Sequence, residues 1–333
     1  MTETYIPKEV IRVRDDIKNM KIRGAGTIAR AGARALAIAA EKYVGNELSE
    51  FMEYMEYVAN YIRNARPTAV SLPNAIMYVM NRLRKSNAKN VEEARKIVIE
   101  SANEFIDYSL KAIKIIGELG ARRIEHGDVI MTHCHSTAAL SVIITAYRRG
   151  KVSKVFVKET RPKMQGLITA KVLSNEGLDV ILIPDSAVRY YMKRVDKVVV
   201  GADTITANGA VVNKIGTSMV ALAAKEARVR VYVAAETYKF SPLTLIGELV
   251  PIEVRNPTEI VSPEWLRENS GVEVFNPVFD VTPPEYVDAI ITERGIIPPQ
   301  AAILILMEEY GLSIKEIAKL SRETEVKIDE DQG

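Results

Sequence analysis

Over the first 120 residues, apolar positions recur at three- and four-residue intervals. Thr27–Val44 (TIARAGARALAIAAEKYV) is alanine-rich and keeps its apolar residues on one face, and Leu48–Ala65, Pro73–Arg84 and Val91–Leu119 continue the pattern. That spacing predicts helices, with Pro67 and Pro73 punctuating the connection between two of them. After Gly120 the pattern changes to short, β-branched runs: Asp128–Thr132, Lys154–Val157, Asp179–Ile183, Lys197–Val200 and Val229–Val233. Between them lie Thr137–Arg148, Gln165–Glu176, Ala187–Lys193 and Ser218–Ala227, which read as helices. Strands of this length alternating with helices predict βαβ units and a parallel sheet buried on both faces. Right-handed crossovers then make it doubly wound. The expected class is α/β, with an N-terminal helical domain over residues 1–122 followed by a Rossmann-like doubly wound parallel sheet over residues 123–333. No internal repeat or low-complexity linker interrupts it, and the last residues, KIDEDQG, read as a frayed polar tail.

Composition narrows the classes. A chain of 333 residues accommodates about two domains of roughly 100–200 residues. Its 45 basic and 43 acidic residues leave a net charge of +2, which offers no electrostatic reason to expect nucleic acid or a membrane surface. Basic residues therefore act locally, as they would on a small anionic substrate. No run of about 18 apolar residues is present, and the charged start MTETYIPKEVIRVRDD has no apolar leader core. The single cysteine excludes an intrachain disulfide framework. The simplest reading is a cytoplasmic protein.

In an open parallel sheet, ligands bind beyond the carboxyl ends of the strands, so the residues just after each apolar run carry the most information. Thr132-His133-Cys134-His135-Ser136 follows the first strand and holds the only cysteine and two of three histidines. Ser136 or Thr137 caps the next helix, so Cys134 is expected near a helix N-terminus, where partial positive charge favours a thiolate. The plainer reading is a small buried hydrophobe. A metal on His133 and His135 is a weak alternative, because only His126 remains as a further histidine. Gly201-Ala202-Asp203-Thr204 places a carboxylate after the fourth strand. Buried near a thiol, Asp203 would hold a proton and serve as a general acid; alone, it reads sooner as an Asx turn or helix cap. Asn213-Lys214-Ile215-Gly216-Thr217-Ser218 and Arg23-Gly24-Ala25-Gly26 each place backbone N–H groups and a cation at the start of a helix, which suits an anion. Neither is a Walker loop or a dinucleotide fingerprint. Arg63–Thr68, Glu159-Thr160-Arg161-Pro162 with Gln165-Gly166, and Tyr238-Lys239-Phe240 add polar segments of the same kind. Several such segments with no metal or nucleotide motif point to a phosphorylated small molecule.

Taken in order, RGAG, RPTAVSLPNA, THCHS, ETRPKMQG, GADTITANGAVVNKIGT, ETYKF and FDVTPPEYVDAIITERG run from residue 23 to residue 295. The chain resembles the family that unites methylthioribose-1-phosphate isomerase, ribose-1,5-bisphosphate isomerase and the regulatory subunits of initiation factor 2B. The regulatory subunits lack the Cys and Asp that stand here at 134 and 203. RGAGTIAR and RPTAVSLPN look most like the ribose-1,5-bisphosphate form. The resemblance implies an aldose–ketose isomerase with Cys134 as proton acceptor and Asp203 as proton donor. It also implies that Arg23, Gly24, Ala25, Gly26, Arg66, Gln165, Asn213, Lys214 and Lys239 hold phosphates and hydroxyls, with no metal and no cofactor. It further implies a homo-oligomer, a hexamer built as a trimer of dimers, and activation by AMP. Methylthioribose-1-phosphate isomerase and a non-enzymatic regulatory subunit are the alternatives.

Overall fold

A computed structural model describes residues 5–66, 69–246 and 249–310. Pro67 and the KIDEDQG tail lie outside the described residues. The chain divides into two compact units, Met1–Ala112 and Ile113–Gly333.

The first unit is helical: α1 (Lys8–Lys18), α2 (Ala25–Glu41), α3 (Leu48–Arg63), α4 (Ser71–Arg84) and the first part of α5 (Val91–Ala121). Alanine and glycine on α2 let its neighbours approach closely. A β-carbon at Gly32 would overlap Leu72 of α4 and touch Ile62 of α3. The faces predicted from spacing are the buried ones, with Ile28, Leu36, Phe51, Met55, Ile62, Leu72 and Ile76 fully enclosed.

The second unit carries a seven-stranded sheet made from β1 (Asp128–Thr132), β2 (Val152–Lys158), β3 (Val180–Ile183), β4 (Lys197–Gly201), β7 (Arg230–Ala234), β9 (Ala289–Thr292) and β10 (Gly295–Ile297). Its order is β10-β9-β7-β4-β1-β2-β3, parallel throughout except for β10 against β9. Each predicted apolar run forms a strand, and those inside the sheet are covered on both faces. Alternate residues such as Ile130, Val155, Val157, Val199 and Tyr232 face α6 (Thr137–Arg148) and Leu173 of α7 (Gln165–Asn175). Met131, Phe156, Val198, Val200 and Val231 face the layer of α8 (Val188–Met192), α9 (Thr217–Ala227) and α11 (Ala302–Tyr310). Two apolar faces explain why these strands read as continuous hydrophobic runs rather than as alternation.

A second, antiparallel sheet, β5 (Thr204–Ile205), β6 (Val211–Lys214) and β8 (Phe279–Thr282), was not anticipated from spacing; nor were β9, β10, α1, α11 and the short α10 (Pro263–Glu268). Its first strand begins directly after Asp203, and β6 carries Asn213 and Lys214.

Candidate active site

From β1 the chain builds outward to β2 and β3, then returns to the other side of β1 with β4 and continues outward to β7 and β9. The reversal lies between β1 and β4, where an open α/β sheet leaves a crevice at its carboxyl edge. Cys134 is the second residue after β1, and Asp203 the second after β4. Their loops touch: a β-carbon on Gly201 would overlap Ser136 Oγ and Cβ. Glycine at 201 thus lets the loop bearing Asp203 close against the loop bearing Cys134.

Cys134 occupies the left-handed region, φ 66°, an uncommon state for a residue with a β-carbon. Two threonines hold it there. Its N–H donates to Thr160 Oγ1 at 3.0 Å, and its carbonyl accepts from Thr169 Oγ1 at 2.8 Å. Thr160 is itself fully buried with φ 61°. Its N–H donates to Asp185 Oδ1 at 3.1 Å, and the Arg161 N–H donates to Asp185 Oδ2 at 2.7 Å. Beneath this lies the fully buried Lys158, 3.6 Å from Asp185 Oδ1 and donating to Gly216 O at 3.2 Å. His133 joins the same network: its Nε2 lies 2.9 Å from Ile215 O. A carbonyl only accepts, so Nε2 carries the hydrogen and the neutral ring keeps its lone pair on Nδ1; Nδ1 lies 3.2 Å from Thr160 Oγ1, whose one hydrogen also faces Lys158 O at 3.1 Å. Burial, reinforced by Lys158, holds His133 well below its ordinary 6.5, as a neutral ring.

The environment of the thiol corrects one expectation. Ser136 does cap α6, accepting from Ala139 N at 3.3 Å, but the helix terminus does not decide the protonation of Cys134. Burial pushes the thiol up to about 11; the Lys214 ammonium opposes this, the Asp203 carboxylate adds to it, and the His135 backbone N–H offers a stabilising hydrogen bond. Asp203 and Lys214 are therefore each within electrostatic reach of Cys134. Both Cys134 and Asp203 keep accessible surface.

A second correction concerns the turn before α9. Its N–H groups are not open to an external anion, because Asp280 Oδ2 accepts from Gly216 N at 2.7 Å and from Ser218 N at 3.1 Å. Gly216, φ 96°, supplies the left-handed turn that aims both groups at this carboxylate. Burial nonetheless pushes Asp280 up to about 6, against those two bonds and Lys158, and its Oδ1 is buried with no hydrogen-bond partner. Asp280 stands opposite Asn213 in the β6–β8 ladder. Asn213 donates from Nδ2 to Thr217 Oγ1 at 3.0 Å. Lys214 is almost fully buried, donates to Val278 O at 3.0 Å and lies 4.7 Å from the Phe279 ring centre.

The remaining predicted residues differ in setting. Gln165 opens α7 and has a buried Oε1 with no hydrogen-bond partner. Lys239 is buried 2.7 Å from the fully buried Glu236, whose other oxygen accepts from Tyr238 OH at 2.9 Å. That pair is neutral overall, so Lys239 adds no net charge to an anion site. In the first unit, Arg23 and Gly24 are exposed, Gly24 (φ 85°) precedes α2, and Ala25 and Gly26 begin that helix with no side-chain cap. Arg66 is half-buried.

The sequence pattern of the initiation factor 2 subunit family matches residues 21–299. The chain belongs to this family. Ribose 1,5-bisphosphate isomerases of Thermococcus kodakarensis and Pyrococcus furiosus are each 57% identical to it, over 93% of this chain and 97% of theirs. Among solved structures, translation initiation factor eIF-2B of Pyrococcus horikoshii matches with a TM-score of 0.76 at 32% identity, covering 89% of this chain and 99% of that one. The 5-methylthioribose 1-phosphate isomerase of the same organism matches at 0.74 and 31%, covering 91% and 88%. The family member described here is an enzyme of the aldose–ketose isomerase type.

Among the described residues, no helix is long and apolar enough to cross a membrane, and no three His, Cys, Asp or Glu side chains converge as metal ligands. Lys158, Thr169, Asp185 and Asp280 were not singled out from sequence. Their partners are tens of residues away in the chain, so no local pattern marks them. Thr160 sat in a segment noted for its polarity, but its role as a support for Cys134 depends on β1 and β2 being neighbours.

Proposed function

We propose that this chain converts α-D-ribose 1,5-bisphosphate to D-ribulose 1,5-bisphosphate by proton transfer between Cys134 and Asp203. The observation that carries this reading is the meeting of the β1 and β4 loops at the strand-order reversal, with Cys134 on one and Asp203 on the other. The relatives named ribose 1,5-bisphosphate isomerase support the choice of substrate.

A sugar phosphorylated at C1 has no free aldehyde, so isomerisation has to open the ring directly. In the first step Asp203, as the carboxylic acid, protonates the ring oxygen while the C1–O bond breaks. The Cys134 thiolate takes the C2 proton, and the C2–H electron pair becomes the C1=C2 bond of an enol that keeps its 1-phosphate. In the second step the Cys134 thiol returns its proton to C1, and the C2 hydroxyl gives its proton to Asp203, leaving the ketone. Both groups end as they began, and no electrons leave the substrate.

This cycle starts from thiolate plus carboxylic acid, whereas burial favours the thiol. Moving the thiol proton onto Asp203 supplies the reactive form without exchange with solvent. Lys214 and the His135 N–H offset part of the cost of the buried thiolate. Arg23, Gly24, Ala25, Gly26, Arg66, Gln165, Asn213, Lys214 and Lys239 are proposed to hold the phosphates and hydroxyls; the unused Oε1 of Gln165 suits a hydroxyl donor. Remote phosphate binding can then position the ring for proton transfer. The hexameric assembly and AMP activation implied by resemblance are separate expectations, tested by sedimentation and by adding AMP to the assay.

The deciding experiment incubates the purified protein, in EDTA, with α-ribose 1,5-bisphosphate and separately with methylthioribose 1-phosphate. Ribulose 1,5-bisphosphate from the first alone is the expected result. Turnover of only the methylthio sugar reassigns the substrate, and turnover of neither supports a non-enzymatic regulatory role.

A further inference from the structure

The hydrogen bonds around His135 determine which of its ring nitrogens carries the proton. Thr169 Oγ1 lies 2.8 Å from the Cys134 carbonyl oxygen and 2.9 Å from His135 Nδ1. The carbonyl can only accept, so the one hydroxyl hydrogen of Thr169 goes to Cys134. Oγ1 then accepts from the ring, and His135 Nδ1 must carry a hydrogen. Burial lowers the affinity of His135 for a second proton, so the ring is neutral. Its basic lone pair is on Nε2, the ring nitrogen that Thr169 does not engage. Among the described residues no protein group donates to that nitrogen, and the ring is only half-buried. His133 has the opposite tautomer, and its ring is buried, with Nδ1 enclosed against Thr160 Oγ1. Of the two histidines flanking Cys134, only His135 keeps an acceptor on a ring that solvent reaches.

A neutral nitrogen with a lone pair selects its partner. Phosphate dianions and ring oxygens present only lone pairs, so they are repelled; a hydroxyl presents a hydrogen. Resting on the isomerase reading above, we propose that His135 Nε2 accepts the hydrogen of the sugar's C3 hydroxyl, next to the carbon that Cys134 deprotonates, and so orients the ring. C3 is favoured because its hydroxyl is on the carbon next to the one Cys134 deprotonates, and His135 is the residue next to Cys134, with its N–H turned to the thiol. Thr169 acts through His135 as a positioning residue, fixing the tautomer while it holds Cys134.

The test is a double-mutant cycle between enzyme and substrate, using wild type and His135→Phe with ribose 1,5-bisphosphate and its 3-deoxy analogue. The wild type is expected to lose roughly tenfold in kcat/KM on the deoxy sugar. His135→Phe is expected to lose a similar factor on the full sugar and little more on the analogue, while His135→Gln, which keeps an acceptor, recovers part of the loss. Equal penalties for the deoxy sugar in wild type and His135→Phe would overturn the contact while leaving the isomerase reading intact. Absence of wild-type turnover on ribose 1,5-bisphosphate would instead overturn that reading and this one with it. A second readout needs no variant, because the chain has only three histidines. Nitrogen-15 spectra should show His135 as the Nδ1–H tautomer, its bare Nε2 resonance moving upfield when ribulose 1,5-bisphosphate is added. A resonance that stays put sinks the proposal.

Discussion

At Cys134, burial and neighbouring charges compete for one proton. Burial favours the thiol, the Asp203 carboxylate works in the same direction, and Lys214 works against both. Because this is the only cysteine in the chain, its titration can be followed by mass spectrometry without background. Alkylation by iodoacetamide should be slow near neutral pH and accelerate toward about 11, since the thiolate is the nucleophile. Lys214→Met should slow it further below that range, and an unchanged profile would show that Lys214 does not act on the thiol. For turnover, Cys134→Ser and Asp203→Asn should each lower kcat by about 10²–10⁴. Near-normal rates in Cys134→Ser would rule out the proton-transfer scheme. That a thiol and a carboxylate follow the first and fourth apolar runs is legible in the sequence; the protonation of the thiol is not, because desolvation depends on what the fold packs around the sulfur.

At the scale of elements, the site depends on close approach between loops that belong to adjacent strands. Gly201 ends β4 against Ser136, which caps α6. Gly201→Ala would insert a β-carbon into Ser136, forcing the two loops apart or displacing the cap. Overpacking of this kind typically costs about 1–3 kcal/mol, and a small shift between reacting groups costs rate as well. The variant is expected to melt earlier and to lose kcat more than KM; full activity with unchanged melting would show that the contact is not tight. The strands β1 to β4 and β7 and their helices were readable from periodicity because each is a continuous segment with a buried face. The antiparallel sheet of β5, β6 and β8 was not, since β5 has two residues and β8 lies far downstream of β6. Its consequence was missed for the same reason: β8 brings Asp280 to the turn before α9, filling with the protein's own carboxylate a place that had read as an anion site.

For the molecule as a whole, Asp280 links that arrangement to stability. Its folded pKa is raised from an ordinary 3.8 to about 6, so between those values the folded state holds a proton that the unfolded chain releases. Stability from this group is present at lower pH and is lost as pH rises through about 6. Asp280→Asn lacks the titration but keeps an oxygen for the two N–H groups. The melting temperature of the variant relative to wild type should therefore increase from about pH 4 to about pH 7. A difference that does not change with pH would mean that Asp280 titrates normally. By itself the sequence determined where the helices and main strands form, which residue types could carry proton transfer, and the family to which their order is similar, because periodicity and side-chain chemistry are local. Only the tertiary structure decided that β1 and β4 are neighbours, which tautomers His133 and His135 adopt, and how far burial moves Cys134 and Asp280. Those properties arise from groups distant in the chain and from the exclusion of water, and neither is present until the chain has folded.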